Sequence, residues 1–489
     1  MQFSSTNILV IIPILIGSLN LLTPFINKNN TIIRSFLLLS ISLFFLINVL
    51  ILDYLFLNGI ESTYILITID KLIIAFHLEA LGIVFLNLLA ILWPPALLYT
   101  IKFLEINHYI HSSRFLFFMN CCILMGSLIA LSANLFTMFI CYELLTILTI
   151  PLIIHVSSEK NTRGLITYLK ILMISSLVFF LPSVLYIYNI AGHVDFIHGG
   201  YISGYLDDKY AIALFIIMIF GFAKAALYPL HGWLPAAMVA SYPVSALLHA
   251  VVVVKAGLFC IFKIMIYVFG LSYLKTLFGD YNWLILIPII SIIYSSIQAI
   301  RFTEIKSILA YSTINQLNLC LLSAFMLTPK GLIAAIMHMV SHSFTKILFF
   351  YAAGNIYSIS GAYHIGELIN IKKSMPKNSL LIVIAGLSLI GIPPLAGFIS
   401  KFYILMAAFE HDNFLVFITI LTSSLFSAIY VIRIIGNIYA SFEKNMIEQN
   451  NFSENTLPPM MMISVYICAS GVIGFVFLKQ FLNKFLVFI

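Results

Sequence analysis

Charged residues are scarce in this sequence. They make up 9% of its 489 residues, whereas 62% of the residues are hydrophobic. Soluble globular proteins carry about 25% charged residues, so the shortage excludes that class. The formal net charge of +7 is spread over short loops and forms no Lys/Arg-rich stripe of the kind that binds nucleic acid. The composition therefore predicts an all-α polytopic protein of the lipid bilayer.

Cysteine is also sparse, and its spacing excludes the common redox centres. None of the six cysteines belongs to a CxxC or Cys/His pattern that could hold zinc or an iron–sulfur cluster. The sequence also lacks a GxGxxG dinucleotide motif. We therefore expect no cofactor and no metal, and a quinone reductase that acts by itself is disfavoured. Any electron transfer would take place in partner subunits, so membership of an enzyme complex stays open at this stage.

Apolar runs that could each cross a ~30 Å hydrocarbon core dominate the chain. We count about 14 of them, near residues 8–25, 32–57, 79–101, 114–132, 134–155, 164–191, 209–230, 237–271, 283–300, 306–328, 330–358, 379–410, 413–440 and 457–488. Lys and Arg concentrate in loops that follow odd-numbered runs, which predicts that both termini lie outside the cytoplasm. Residues 8–25 lack the features of a cleaved signal, so we expect them to remain as a span of the inner membrane.

Lys224 is a charged residue inside an apolar run, where a charge is costly. It lies in GFAKAALYPLHGWLP, where Pro229 removes a backbone donor and is expected to end or kink the helix just past the lysine. His249 and Lys255 follow in a second apolar run. A charged side chain at membrane depth costs about 2.5–3.5 kcal/mol and usually faces a polar cavity or a partner. The alternatives are snorkelling lysines and, for His249, a hydrogen-bonded core histidine.

A second helix break is predicted in LIGIPPLAGFISKF. Pro393 and Pro394 release the carbonyls of Leu389 and Ile390, and Lys401 follows one short run later. Paired breaks in corresponding positions indicate inverted repeats around a path through the membrane. We therefore infer two structural halves.

Two further apolar runs carry ionisable groups. Glu143 is the only acidic residue that the sequence places well inside a strongly apolar run, and we expect it to handle protons; a buried ion pair that locks two helices is the alternative. His338, His342 and Lys346 have a spacing that puts them on one helix face, where they could relay protons. The histidine pair also fits a metal, although Lys346 on the same face opposes a cation.

Four ordered segments carry a family resemblance. They are PLHGWLPAAMVASYPVSALLHAVVVVKAG, EIKSILAYSTINQL, HMVSHSFTKILFFYAAG and GIPPLAGFISKF. Together they resemble the antiporter-like, proton-conducting membrane subunits shared by respiratory complex I and Mrp-type cation/proton antiporters. The resemblance implies 14 transmembrane helices with discontinuous seventh and twelfth helices. It also implies N-terminal helices in 1–110, two inverted five-helix repeats in 111–271 and 272–440, and a C-terminal helix in 441–489.

The resemblance also implies a proton path. The family's ionisable positions on its fifth, seventh, eighth, eleventh and twelfth helices are matched here by Glu143, Lys224, His249, Lys255, His338, His342, Lys346 and Lys401. In the family the fifth-helix glutamate pairs with the seventh-helix lysine, so a Glu143–Lys224 pair is implied.

Departures from the family pattern favour one branch of it. The acidic residue that often follows WLP is Ala236 here, which leaves any role of that carboxylate in doubt. The sequence ends soon after its fourteenth apolar run, so we expect no lateral arm of the kind usual in one of the large complex I subunits. With AAMVASYPVSALLHAVVVVKAG and AGFISKFYIL, this favours a resemblance to the D-type subunit of Mrp antiporters. The implied function is proton translocation within a hetero-oligomeric membrane complex, coupled to sodium or potassium exchange. A proton-pumping subunit of an NADH-quinone oxidoreductase or a hydrogenase is the alternative, while a scaffold leaves the buried charges unexplained.

Overall fold

The computed structural model describes residues 7–26, 31–60, 62–69, 72–155, 158–247, 251–279, 282–440 and 454–488. Helices dominate these ranges, because a helix satisfies its own backbone groups inside a bilayer. Eight of the helices described are long and apolar enough to cross a membrane, and the number rises to ten if each of two bent pairs counts as one span. The predicted polytopic helical membrane protein is thus confirmed.

The described chain up to residue 191 contains helices and one hairpin. In order, the elements are α1 (Asn7–Leu22), α2 (Thr31–Leu57), β1 (Thr63–Ile69), β2 (Leu72–His77), α3 (Ala80–Ile106), α4 (Ser112–Leu131), α5 (Leu135–Ile153), α6 (Glu159–Ser175) and α7 (Leu181–Ala191). A π-helical turn, Ser176–Phe180, joins α6 to α7, and the two helices form one span.

The remaining described chain contains the helix breaks. Its helices are α8 (Asp208–Gly221), α9 (Trp233–Ala236), α10 (Tyr242–Ala246), α11 (Val253–Ile264), α12 (Leu271–Phe278), α13 (Leu286–Arg301), α14 (Ile305–Ala324), α15 (Pro329–Ser360), α16 (Ile371–Ser374), α17 (Pro376–Ile390), α18 (Ala396–Glu410), α19 (Phe414–Tyr439), α20 (Pro459–Ile473) and α21 (Phe475–Leu486).

The hairpin β1–β2 corrects the all-α expectation. Its strands pair antiparallel, with a register shift between Ile65 and Ile67. The segment TYILITI is rich in β-branched residues, which suit a strand. Side chains of the α4–α5 turn and of α5 bind β2, because Asn134 Nδ2 donates to the Ile73 carbonyl at 2.8 Å and the Ala75 N–H donates to Thr137 Oγ1 at 3.1 Å.

The first predicted break is present but begins earlier than expected. Helix α8 ends at Gly221, so Lys224 lies in the short 3₁₀ turn Ala223–Ala225 rather than in the last turn of α8. Ala226 has a left-handed φ of 57°, so the backbone cannot continue as a right-handed helix past this residue. The carbonyl of Ala223 accepts hydrogen bonds from the Ala226 N–H at 2.9 Å and from Trp233 Nε1 at 2.8 Å.

The second predicted break separates α17 from α18, as the double proline indicated. Two other bends were not predicted. Helices α11 and α12 meet at 88° and α20 and α21 at 67°, so the runs 237–271 and 457–488 are not single straight helices. The second pair bends at Gly474, where the helical hydrogen bonding of α20 ends.

Helix α15 lies at the centre of the molecule. It is almost wholly buried along its length and packs against α14, α17, α18 and α20. A helix that is buried all round needs no amphipathic face, and this explains why α15 can carry polar residues on several sides. These polar residues include the three members of the predicted eleventh-helix row.

Candidate functional site

The predicted site residues that the structure describes are all buried, with exposures between 0% and 9%. This set comprises Glu143, Lys224, Lys255, His338, His342, Lys346 and Lys401. The eighth predicted residue, His249, lies outside the described residues. The four lysines therefore do not snorkel to the surface, because a snorkelling lysine exposes its ammonium group.

Lys224 is held by α5 through a residue that the sequence pattern did not indicate. Its Nζ donates to the Tyr142 carbonyl at 2.5 Å and lies 3.3 Å from the centre of the Tyr142 ring. Its backbone N–H donates to the Tyr142 hydroxyl at 3.2 Å. Among the described residues, Lys224 and Glu143 form no ion pair, and both Glu143 carboxylate oxygens lack a hydrogen-bond partner there.

Lys255 and His342 connect two helices that are distant in the sequence. Lys255 Nζ lies 3.0 Å from His342 Nδ1, which joins α11 to α15. An ammonium can donate this bond only to a ring nitrogen that carries no proton, so the contact couples the tautomer of His342 to the charge of Lys255. The predicted eighth-helix and eleventh-helix groups are thus in direct contact.

His338 connects α15 to α18 through hydroxyl groups. His338 Nδ1 lies 2.9 Å from Ser400 Oγ, and Ser341 Oγ lies 2.7 Å from the same atom. Ser400 directly precedes Lys401 in α18. Hydroxyl groups can donate and accept at the same time, so Ser341 and Ser400 link the His338 imidazole to α18 by hydrogen bonds.

Lys346 and Lys401 are bound by oxygen atoms of neighbouring helices. Lys346 Nζ donates to the Leu309 carbonyl at 2.9 Å and to the Ser312 hydroxyl. Lys401 Nζ donates to the carbonyls of Leu389 at 2.8 Å and Ile390 at 3.0 Å. These are the two carbonyls that the prolines were predicted to release, so the ammonium of Lys401 replaces the missing helical donors.

Further buried ionisable residues lie in the same group of spans. Glu79 and Lys263 form an ion pair at 2.5 Å, and Lys306 Nζ donates to the Ala240 carbonyl at 2.7 Å. Asp53 is buried too and accepts from Asn87 Nδ2 at 2.7 Å. Glu143 is therefore not the only buried acid, although it is the only one that the sequence places well inside an apolar run. Asp53 and Glu79 lie close to the ends of apolar runs, where the sequence alone gives no sign of burial.

Lys306 lines a cavity of about 190 Å³ beside the loops that join α3 to α4 and α5 to α6. Within the described chain, Ser241 Oγ, the Tyr242 hydroxyl and His155 Nδ1 are buried without a hydrogen-bond partner, and all three residues line this cavity. Lys306 Nζ also lies 5.0 Å from the centre of the Tyr242 ring. The cavity is polar and large enough for several waters.

Comparison with known proteins identifies the class. The family described as "NADH:quinone oxidoreductase/Mrp antiporter, TM" matches residues 132–427, a range that contains all eight predicted site residues. The chain belongs to this family, as the sequence motifs indicated. It is an antiporter-like membrane subunit of the Mrp and complex I type.

Individual relatives include both antiporter subunits and a subunit of an NADH-quinone oxidoreductase. The chain is 29% identical over 415 residues to the putative antiporter subunit mnhA2 of Staphylococcus haemolyticus, covering 78% of this chain and 50% of that protein. It is 31% identical over 359 residues to the L subunit of the NADH-quinone oxidoreductase of Buchnera aphidicola, covering 72% and 57%. It is 26% identical over 349 residues to the D-type subunit of the Na(+)/H(+) antiporter of Alkalihalophilus pseudofirmus, covering 71% and 69%. The chain thus spans about half the length of the first two relatives.

Two solved structures share the fold over nearly the whole chain. One belongs to the Mrp complex from Dietzia, with a TM-score of 0.82, 18% identity and coverage of 100% of this chain and 97% of that one. The other belongs to an archaeal membrane-bound sulfane sulfur reductase, with a TM-score of 0.81, 22% identity and coverage of 99% and 96%. At these identities the likeness concerns the fold alone.

Proposed function

We propose that this chain translocates protons as one membrane subunit of a larger complex, most similar in role to the D-type subunit of an Mrp-type cation/proton antiporter. The observation that carries the proposal is the contact between Lys255 and His342. It joins buried ionisable groups of α11 to those of α15 in the middle of the molecule. Groups of this kind inside a membrane typically mark ion and proton pathways.

The proposed route runs through both halves of the chain. It passes from Glu143 and Lys224 to Lys255 and then along the α15 row to Lys401. His249, which lies outside the described residues, precedes Lys255 closely in sequence and is included in the route. The carboxylate oxygens of Glu143 and the Nε2 atoms of His338 and His342 are buried and have no hydrogen-bond partner among the described residues. Buried polar groups require partners, and we propose that water supplies them and completes the route.

The polar cavity beside Lys306 is the proposed cytoplasmic entrance. It lies next to loops that are predicted to face the cytoplasm, namely those that follow the third and fifth apolar runs. In this orientation both termini lie on the non-cytoplasmic side of an inner membrane. We further propose the finer architecture of the family, with 14 spans and inverted repeats in 111–271 and 272–440; the helix breaks beside Lys224 and before Lys401 support it.

A proton-pumping subunit of an NADH-quinone oxidoreductase is the second candidate. The 31% identity to a protein named as the L subunit of such an enzyme supports it. The two candidates place the same proton path in different complexes. In the first candidate, proton flux should respond to sodium or potassium. In the second, it should respond to a redox substrate that partner subunits oxidise.

The proposal is tested in inverted vesicles that carry the assembled complex, with proton flux followed by a pH-sensitive dye. Glu143→Gln and Lys224→Met should reduce flux to background, because each removes a proton-binding group. Lys224→Arg should fail as well, since guanidinium does not release its proton. The matched control is Glu105→Gln, an exposed acid that pairs with Lys102 on α3. Wild-type flux in Glu143→Gln in an assembled complex would contradict the proposal.

A further inference from the structure

A second buried acid–base pair lies away from the predicted path. Lys263 Nζ contacts Glu79 Oε1 at 2.5 Å and donates to the Ser132 carbonyl at 2.5 Å. It also lies 3.4 Å from Ser132 Oγ and 4.4 Å from the centre of the Phe196 ring. The lysine side chain is fully buried, whereas Glu79 keeps 9% of its side chain exposed. Glu79 is therefore the more exposed partner of the pair.

The pair lies at the opposite face from the Lys306 cavity. Glu79 directly precedes α3 and Ser132 directly follows α4, whereas the cavity lies at the other ends of these helices. The 27 residues of α3 span about 40 Å at 1.5 Å per residue. The two sites are thus separated by the thickness of the membrane domain.

The segment around Phe196 lies beside the pair and is hydrogen-bonded on two sides. The loop after α7 is bonded on one side to the α4–α5 turn, where the Phe196 N–H donates to the Ala133 carbonyl at 3.1 Å. On the other side it is bonded to the end of the α11 span, where the Ile197 N–H donates to the Tyr267 carbonyl at 3.1 Å. Cys260 lies within electrostatic reach of Lys263, and Tyr267 lies within electrostatic reach of Glu79.

Helix α11 connects this pair to the predicted path. The helix carries Lys255 near its start and Lys263 near its end. Between them Gly257 packs directly on the backbone of the first break, because a Cβ at this position would lie 2.6 Å from the Lys224 carbonyl carbon. Cys260 lies within electrostatic range of both Lys224 and Lys263. One helix thus passes the two lysines of the path and ends at the Glu79 pair.

From this arrangement we infer that Glu79 and Lys263 form a proton-exchange station at the face opposite the Lys306 cavity. The inference rests on the proposed function. It extends that function with a second opening of the proton path, formed by the first half of the chain. In the exchange, the Lys263 ammonium transfers one proton to the Glu79 carboxylate, which gives a neutral amine and a carboxylic acid. Glu79 then releases the proton to water at the surface, and Lys263 takes up another from the interior. Transport in the opposite direction reverses both steps.

A structural ion pair is the competing explanation, and a double variant separates the two. Removing one partner leaves an uncompensated buried charge and can unfold the region, whereas replacing both partners by neutral groups is often tolerated. We therefore expect Glu79→Gln/Lys263→Met to assemble in the complex yet to lose at least ~10-fold in proton flux, a barrier change of about 1.4 kcal/mol. Wild-type flux in the assembled double variant would overturn the inference.

Conservative and reference variants complete the test. Glu79→Asp keeps a carboxylate and should retain flux with a displaced pH profile, which a purely structural pair would not cause. The matched control is Glu105→Gln, an exposed acid of α3 that pairs with Lys102, and it should leave the flux and the profile unchanged. Glu143→Gln is measured in parallel: if it is inactive while the double variant is active, only the Glu79–Lys263 station is refuted. If Glu143→Gln and the double variant both match the wild type, the proposed function fails as well.

Discussion

At the scale of single residues, the lysines of the path are bound mainly by neutral oxygens. Lys224, Lys346 and Lys401 each donate to a backbone carbonyl. A lysine paired with a carboxylate would leave a bare buried anion whenever it lost its proton. A carbonyl partner leaves no such charge, so each of these amines can release and regain a proton without stranding a counter-ion. Glu79–Lys263 is the exception, and there the carboxylate itself can accept the proton.

Lys401→Ala should block net translocation while leaving the Glu143–Lys224 region able to titrate. The change removes the last amine of the row and leaves the carbonyls of Leu389 and Ile390 without their donor. Each unsatisfied buried group costs about 1–3 kcal/mol, so a lower melting temperature should accompany the loss of flux. Flux in vesicles and thermal unfolding of the purified complex measure the two effects.

The matched control is Ser424→Ala, which removes only the 3.2 Å contact between Ser424 Oγ and Lys401 Nζ. It should keep both flux and stability near those of the wild type. Full flux in Lys401→Ala would show that the path does not end at this lysine.

At the scale of elements, the sequence predicted the breaks that proline causes and missed those that depend on tertiary contacts. Pro229 and the pair Pro393–Pro394 are visible because proline removes a donor wherever it lies. The bend between α11 and α12 and the hairpin β1–β2 were not predicted, since both are bonded to segments distant in the chain, through the Tyr267 carbonyl and the Ala75 N–H. The same reason hid the partner of Lys263, because Glu79 lies on a different span.

The sequence indicates which ionisable residues lie inside apolar runs, but not which groups they contact. Charge inside an apolar run is evident from the sequence, and the seven predicted residues that the structure describes are all buried. Which groups meet depends on helix packing. Tyr142, Ser400 and the carbonyls that bind the lysines carry no signal in the sequence that distinguishes them from their neighbours.

Gly257→Ala should disturb the packing of α11 against the first break. A Cβ at this position would overlap the Ala225 nitrogen, which is backbone and cannot move aside by rotation of a side chain. Overpacking of this kind typically costs about 1–3 kcal/mol. We expect a lower melting temperature of the complex and reduced proton flux, because Lys224 and Lys255 would move apart.

Gly436→Ala on α19 is the control for this element, because nothing lies within 4 Å of its added methyl group. Alanine favours a helix over glycine by about 1 kcal/mol, so this variant should be as stable as the wild type or slightly more stable. Equal melting temperatures and equal flux for the two alanine variants would contradict the tight approach of α11 to the break.

At the scale of the whole molecule, the described helices present broad apolar surfaces. Exposed side chains include Phe44 on α2, Leu425 on α19 and Phe477 on α21. Lipid or neighbouring subunits must cover such surfaces, because exposed apolar patches of this extent are not stable in water.

We expect the chain to be inactive without those neighbours. A proton path that conducted by itself would let protons flow down their gradient and would waste the energy stored in it. The route through Lys255 and His342 should therefore conduct only when partner subunits couple it to cation exchange or to a redox reaction. The purified chain in proteoliposomes should give no cation-dependent proton flux, and co-reconstitution with the other subunits of its complex should restore it.

The Glu143→Gln variant in the same complex distinguishes flux through this chain from flux through a related neighbour. Robust exchange by the purified chain alone would refute the dependence on partners, while flux that persists with Glu143→Gln in the complex would assign the transport to another subunit.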